Sequence, residues 1–354
     1  MSLPDWGSIL RGHTFHGYEL GDVLGSGCFC PVFEAKCRSS GVVHAIKVLP
    51  PSNLPQPAKE FHQEGALLSR LTNLSHVVDL VSSGEFTFQL QGPSSPVDLL
   101  FSYHVMELAD GCLEQIVLHR ENISWPERVA LWRGVVRGVH QMHLNNIVHR
   151  DIKSANCLLF IRRGRLSQTV CKVADLGRSR DLTSLPIHSR QQYVVGLGDL
   201  GFAPPEFLYL QGRDSAEAHK QADLYGLGSL LFELATGLPV TAVALGHGSD
   251  VIDHVLNAGS RYVGFDLSGL RSSYEPAYDL FESAVPSVIG DKGSKLLRQL
   301  CDPVPDARQR RASQITKTSS KEKGLEWLLR RADILYRSIL QVDKASTNSR
   351  RRGA

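Results

Sequence analysis

The chain has 354 residues, of which 42% are hydrophobic and 21% charged, and its formal net charge is +3. This composition is ordinary for a globular protein and excludes a disordered, collagenous or fibrous chain. No stretch of 18 residues is strongly apolar and free of charge, so we expect no transmembrane segment. The N-terminus lacks the cationic region and apolar core of a secretory signal.

The cysteines and the distribution of charge bear on the cellular location and on nucleic-acid binding. The seven cysteines are scattered without paired metal-type spacing, which favours a reduced cytoplasmic location over a disulfide framework. Residues 306–354 hold 13 Lys and Arg against 5 Asp and Glu. Because the basic excess lies in this segment and not across the body, there is no strong sign of nucleic-acid binding, although nuclear targeting stays open.

The first third of the chain alternates short β-rich runs with turn signals. One helix with Pro57 in its first turn interrupts these runs, because apolar residues recur there at helical spacing. We predict strands at 18–24, 32–37, 42–49, 77–82 and 99–106, a hairpin tip at 92–96, and the helix at 57–71.

From Gly111 onward the pattern is helical. Ser124 and Glu127 form a capping box that opens one helix, and a near-continuous apolar run at 223–235 predicts a buried one. An amphipathic repeat at 325–340 predicts a last helix, and the polar, basic residues 346–354 are expected to be disordered. These patterns predict a β-rich part followed by a larger helical part.

A glycine turn and a strand lysine point to phosphate binding. Gly25 and Gly27 would let the backbone approach phosphate oxygens, although such a turn is more often an ordinary hairpin. Lys47 ends an apolar strand, and the next helix offers Glu64 as its counter-ion, with Glu60 as a competitor.

The strongest motif is His149-Arg-Asp-Ile-Lys-Ser-Ala-Asn156, followed about one hairpin later by Asp175. Asp151 could accept the proton of an attacking hydroxyl, and Asn156 and Asp175 offer the oxygen ligands that Mg²⁺ prefers. Phosphate transfer needs positioning and charge neutralisation, which lysines and a metal ion supply.

These motifs, in this order, resemble the signature set of the eukaryotic-type protein kinases, serine/threonine branch. The resemblance implies an α+β, two-lobed protein kinase fold with a small β-rich N-lobe and a larger, mainly helical C-lobe. It also implies ATP and Mg²⁺ as cofactors and a protein substrate. The expected organisation is an N-terminal extension at 1–17, a kinase domain at 18–312 with lobes at 18–108 and 109–312, and a C-terminal amphipathic helix and basic tail at 313–354.

The resemblance assigns roles to individual residues. The catalytic set it implies is Asp151, Lys47, Lys153 and Glu64, and the metal ligands are Asn156 and Asp175. The ATP-binding set is Leu24, Gly25, Ser26, Gly27, Cys28, Phe29, Cys30, Pro31, Val32, Lys47, Glu107 and Ala109. Outside the site, it implies a pair between Glu206 and Arg308 and a helix that starts at Asp223.

Two departures from the family pattern bear on activity. Cys30 replaces the third loop glycine and Pro31 follows it, so we expect a stiffer loop and weaker ATP affinity. Asp199 stands where the serine/threonine branch keeps a Thr that bridges Asp151 and Lys153. We expect Asp199 to pair with Lys153, to repel Asp151, and to tune activity or substrate choice.

Several alternatives remain open at this point. A pseudokinase scaffold or allosteric partner would bind nucleotide without efficient transfer, and a small-molecule kinase of the aminoglycoside or choline type would lack the Arg150 motif. Tyrosine or dual specificity is a further alternative. The last helix either packs on the large lobe, the favoured interpretation, or binds a partner or a membrane surface. Hydroxyls at Thr183, Ser184 and Ser189 are predicted phosphorylation sites.

Overall fold

The structure, a computed structural model, describes residues 4–26, 30–52, 55–91, 95–162, 164–189, 191–192, 198–258, 265–309 and 323–352. For Ser26, Ser167 and residues 343–352 it describes the backbone alone. Contacts between residues divide the chain into two compact units, Met1–Asp110 and Gly111–Ala354.

The first unit is built on a six-stranded antiparallel sheet with strand order β1-β2-β3-β4-β6-β5. Buried and exposed residues alternate along β3, as expected for a strand with one face against a core. The predicted strands are confirmed, although β5 begins at Leu80, three residues later than predicted, and both β5 and β6 extend farther toward the predicted hairpin tip. Residues 92–94 of that tip lie outside the described residues. The strands are β1 (Thr14–Phe15), β2 (Tyr18–Ser26), β3 (Pro31–Cys37), β4 (Val43–Leu49), β5 (Leu80–Gln91) and β6 (Pro96–Glu107).

The residues before β2 belong to this unit's core. A short helix, α1 (Trp6–Leu10), places the Leu10 side chain in the buried cluster and the Trp6 ring edge-on to Phe101, with 5.1 Å between centroids. Phe15 of β1 stacks on Phe86 at 4.1 Å. Sequence patterns assigned no element here because segments of five and two residues carry no periodicity.

The helix predicted at 57–71 is confirmed as α2 (Pro55–Arg70). Its buried face consists of Phe61, Glu64, Gly65, Leu67 and Leu68. A carboxylate inside an otherwise apolar face requires a charged partner, so Glu64 is expected to pair with a cation.

Helices dominate the second unit. The capping box of Ser124 and Glu127 is confirmed at the start of α4. The described helices are α3 (Leu113–Leu118), α4 (Trp125–Leu144), α5 (Pro205–Leu208), α6 (Ala216–Thr236), α7 (Val240–Leu245), α8 (Gly248–Ala258), α9 (Arg271–Ala284), α10 (Ser287–Leu300) and α11 (Glu326–Arg352). None of them combines the length and the apolar character that crossing a bilayer requires.

Two helix boundaries differ from the predictions. The expected start of a helix at Asp223 is wrong, because α6 begins at Ala216 after Ser215, whose side chain accepts the Ala218 N–H. Its first two turns are polar and therefore lie outside the apolar run. The disorder expected from residue 346 is wrong as far as Arg352, because the backbone of α11 stays helical and no Pro or Gly interrupts it.

The C-terminal helix packs on its own unit, which confirms the favoured interpretation. Buried residues of α11 recur at helical spacing and face α4 and α10. Arg133 of α4 pairs with Asp333, and Leu325 N–H donates to His140 Nδ1 at 3.0 Å. The buried residues of α11 are Leu328, Ala332, Leu335 and Ile339.

Short strands hold the loops of the second unit that carry the predicted catalytic motif. The motif lies between β8 (Ile147–Val148) and β9 (Cys157–Phe160), and Asp175 follows β10 (Val170–Val173). β9 pairs with β10 and with β7 (Gly111–Cys112), while β8 pairs with β11 (Arg180–Asp181).

Candidate active site

In the first unit, the predicted lysine and glutamate form an ion pair. Strand β4 supplies Lys47 and helix α2 supplies Glu64, and their Nζ and Oε2 atoms are 2.8 Å apart. The Glu64 side chain is only 2% exposed, so the pair is shielded from solvent. Glu60, the competing counter-ion, instead accepts a hydrogen bond from Gln56 Nε2 at 3.1 Å.

The predicted nucleotide loop is described in part. Gly25 pairs with Val32, and Ser26 with Pro31, at the loop end of the β2–β3 hairpin. Leu24 is exposed, Cys30 is half-buried and Pro31 is buried. The predictions for Gly27, Cys28 and Phe29 lie outside the described residues.

Glu107, one of the predicted ATP-binding residues, is the last residue of β6. The Glu107 N–H donates to the Asp79 carbonyl at 3.2 Å, and the Asp79 N–H donates to Glu107 Oε1 at 2.7 Å. These two bonds fix the end of β6 against the segment before β5. Ala109, two residues later, is half-buried.

In the second unit, a buried carboxylate orients the predicted catalytic loop, residues 149–156. Asp223 of α6 accepts the N–H groups of His149 at 2.9 Å and Arg150 at 2.7 Å, and the ring of His143 at 2.8 Å. Burial would raise the pKa of Asp223, but the hydrogen bonds and the His143 charge outweigh it and hold that pKa below its ordinary value. The ionised carboxylate thus holds the Arg150 backbone at a φ of 70°.

The Asp151 carboxylate is fixed at both oxygens. Asn156 Nδ2 donates to Asp151 Oδ2 at 3.0 Å and to its carbonyl at 2.8 Å, while the Asp199 N–H donates to Oδ1 at 3.0 Å. A carboxylate held in this way loses little freedom when a hydroxyl group approaches it.

Lys153 lies between two carboxylates. Its Nζ is 3.2 Å from Asp199 Oδ2 and 3.7 Å from Asp151 Oδ2, so the predicted pair with Asp199 is confirmed. Burial would lower the pKa of Lys153, but the charges of Asp151, Asp199 and Asp175 outweigh it and raise that pKa. The shared lysine and the Asp199 N–H offset the repulsion expected between the two carboxylates.

The proposed metal ligands, Asn156 and Asp175, are tied together through the backbone. The Ala174 N–H, one residue before Asp175, donates to the Asn156 carbonyl at 2.9 Å. Because Asn156 Nδ2 is used by Asp151, the amide oxygen is the side-chain atom that can serve as a ligand. Among the described residues, no group of three or more His, Cys, Asp and Glu could hold a metal ion. An amide and one carboxylate still fit Mg²⁺, which takes few protein ligands and completes its shell with water and phosphate oxygens.

The sequence patterns did not predict the hydrogen bond that Ser154, the residue after Lys153, makes with Glu233. Ser154 Oγ donates to Oε1 of Glu233, a buried carboxyl in the middle of α6, at 2.6 Å. Burial and the charge of Glu114 raise the pKa of Glu233 to about 7. A single Glu inside an apolar helical run was the available signal, but the run alone does not reveal its partner.

Glu233 is expected to make stability depend on pH. Its pKa rises from 4.5 to about 7 on folding, so between these values the folded chain keeps a proton that the unfolded chain has released. The free energy of unfolding of the natural chain should therefore fall from pH 4.5 to pH 7, relative to Glu233→Gln, and level off above. Urea unfolding of both proteins across this range tests the expectation.

The control for this experiment is Glu114→Gln. Removing the Glu114 charge should lower the pKa of Glu233 in the folded chain, so the window should narrow from its upper end without vanishing. Parallel stability curves for the natural chain and Glu233→Gln would contradict the assignment.

The segment after Asp175 contains the predicted phosphorylation sites. Thr183 donates both its N–H and its hydroxyl to Asp181 Oδ1, whereas Ser189 is exposed. Phosphorylation of Thr183, Ser184 or Ser189 stays a prediction. The predicted pair of Glu206 with Arg308 is confirmed, with both guanidinium–carboxylate distances at 2.7 Å.

Comparison with known proteins shows what this chain is similar to. A family model described as "Protein kinase domain" matches residues 18–319. A G-type lectin S-receptor-like serine/threonine-protein kinase of Arabidopsis thaliana is 30% identical over 220 residues, which cover 60% of this chain and 23% of the relative. The calcium/calmodulin-regulated receptor-like kinase 1 of the same plant is 31% identical over 222 residues, covering 61% and 43%. The chain thus spans less than half the length of either relative.

Proposed function

Because this chain belongs to the protein kinase family, we propose that it transfers the γ-phosphate of ATP to serine or threonine hydroxyls of a protein substrate, with Mg²⁺ as cofactor. The observation that carries the proposal is the Asp151 carboxylate, fixed by Asn156 and the Asp199 backbone beside Lys153. The names of the relatives and the lysine two residues after Asp151 support serine/threonine specificity. We propose a cytoplasmic location on the scattered cysteines alone.

Each proposed role follows from the chemistry of the side chain. Asp151 orients the substrate hydroxyl and accepts its proton, and Lys153 neutralises charge on the transferred phosphate. Lys47 binds the α- and β-phosphates, and Glu64 holds Lys47 in place. Asn156 and Asp175 would hold Mg²⁺, which supplies neutralisation of the phosphate charge when bound.

A transfer assay tests the proposal directly. The purified chain is incubated with labelled ATP, Mg²⁺ and generic protein substrates, and the labelled amino acids are then identified. Label on serine or threonine that Lys47→Met abolishes supports the proposal. Label on tyrosine alone would contradict the specificity, and nucleotide binding without any label would favour the scaffold alternative.

Replacing Asp199 with Thr is expected to raise kcat/KM for ATP. The Asp199 carboxylate, 3.2 Å from Lys153, competes with phosphate for the ammonium group. Because Asp199 is partly exposed, its removal should give a gain of about twofold to fivefold. Steady-state kinetics with varied ATP measure this gain, and Asp199→Asn, which keeps the size of the side chain, should behave alike. An unchanged rate and substrate profile in both variants would contradict a tuning role.

A further inference from the structure

A buried histidine lies beside the Lys47–Glu64 pair. His104 of β6 is the direct partner of Lys47 across the sheet, so the two side chains extend from the same face. The His104 ring is buried and stacks on the Phe61 ring of α2, with 3.9 Å between centroids and 8° between planes. His104 thus links β6, the neighbour of the Lys47 strand, to α2, the helix that carries Glu64.

Two hydrogen bonds fix the orientation of this ring. Nε2 of His104 is 2.9 Å from the Phe61 carbonyl, and Nδ1 is 2.7 Å from Ser83 Oγ. A carbonyl can only accept, so Nε2 carries the hydrogen and Nδ1 accepts the Ser83 hydroxyl. Burial lowers the pKa of His104 to about 4, which keeps the ring in this neutral form at physiological pH. The three groups form a chain from β5 through β6 to the backbone of α2.

The helix makes room for the ring at the residue after Glu64. A Cβ added to Gly65 would lie 2.5 Å from His104 Cε1, closer than real Cβ contacts come, and 3.1 Å from Nε2. Glycine disfavours a helix interior, so its presence in α2 requires a packing reason. The close approach of the His104 ring supplies that reason.

We propose that His104 is a positioning residue for phosphate transfer, because it anchors α2 through the Phe61 carbonyl and thereby holds Glu64 against Lys47. The inference rests on the proposed function in its consequence for the rate, but not in its geometry. Phe61 lies one helical turn before Gly65, so the anchored carbonyl and the packed glycine bracket Glu64 along the helix. A rotation or shift of α2 would move the Glu64 carboxylate away from Lys47.

A double-mutant cycle separates positioning from ordinary core packing. His104→Phe keeps a ring of similar size on Phe61 and removes both hydrogen bonds, and Glu64→Gln removes the charge that His104 is proposed to position. We expect each single variant to lower kcat/KM for ATP by about tenfold to a hundredfold. The double variant should be no worse than Glu64→Gln alone. Multiplying losses, or a His104→Phe variant with natural kinetics, would overturn the proposal.

A second readout does not depend on kinase activity. The rate at which an acylating reagent labels Lys47, followed by mass spectrometry, reports how tightly Glu64 holds the ammonium group, because the free amine is the form that reacts. Labelling should rise at least about threefold in His104→Phe and in Glu64→Gln, with no further rise in the double variant. If the natural chain transfers no phosphate, the proposed function fails, and this labelling still supports or overturns the role of His104.

Milder variants guard against loss of the fold. Ser83→Ala removes only the partner of Nδ1 and should raise Lys47 labelling less than His104→Phe does. Gly65→Ala favours the helix by propensity but pushes against the ring, so it should also raise labelling. Natural labelling in all three variants, in proteins with natural thermal midpoints, would overturn the proposal.

Discussion

Asp151→Asn is expected to lower the rate of phosphate transfer by about 10²–10⁴-fold, the contribution that a well-placed general base makes. The amide can still accept the Asp199 N–H, so the loop should keep its conformation. It has no basic oxygen to take the proton of the substrate hydroxyl. Steady-state transfer to a protein substrate measures the change.

The control for this variant is Asp250→Asn, which changes an exposed carboxylate of α8 outside the catalytic loop. It should transfer phosphate at the natural rate. ATP binding by Asp151→Asn, followed by calorimetry, should stay within a few-fold of the natural value, because the role proposed for Asp151 is on the hydroxyl and not on the nucleotide. Natural transfer by Asp151→Asn would remove Asp151 from the mechanism.

Local motifs were enough to predict the centre of the candidate site. The run from His149 to Asn156 is contiguous, so its side chains stay close together wherever the chain folds. Lys47 and Glu64 lie on two consecutive elements, β4 and α2. A buried carboxylate such as Glu64 requires a cation nearby. These predictions depended on residues that lie close together along the chain, and their proximity can be read directly from the sequence.

The Glu206–Arg308 pair was predicted from the family resemblance, but contacts between distant segments that no family motif marks were beyond prediction. The bond of Ser154 to Glu233 and the space that Gly65 leaves for His104 join residues whose relation only the folded chain shows. Asp223 was recognised, but as a helix start, because the apolar run begins there. Its position inside α6 lets its carboxylate accept two backbone N–H groups of the catalytic loop.

Arg308→Ala is expected to destabilise the second unit by about 3–5 kcal/mol, because removing one partner of a buried pair leaves the other charge without compensation. The Arg308 side chain is fully buried, and it bonds both oxygens of Glu206 at 2.7 Å. It also donates to the carbonyls of Asp302 at 2.8 Å and Gln221 at 3.2 Å. Its loss therefore leaves a buried carboxylate and two carbonyls with fewer donors.

Urea unfolding followed by circular dichroism measures this loss, with Lys295→Ala as the control. Lys295 pairs with Asp291 on α10, and both side chains are about three-quarters exposed, so this change should cost less than about 1 kcal/mol. The double variant Glu206→Ala and Arg308→Ala should lose less stability than the sum of the single losses, since removing both charges leaves neither one stranded. Equal losses for Arg308→Ala and Lys295→Ala would mean that the Glu206–Arg308 pair contributes no more than a surface contact.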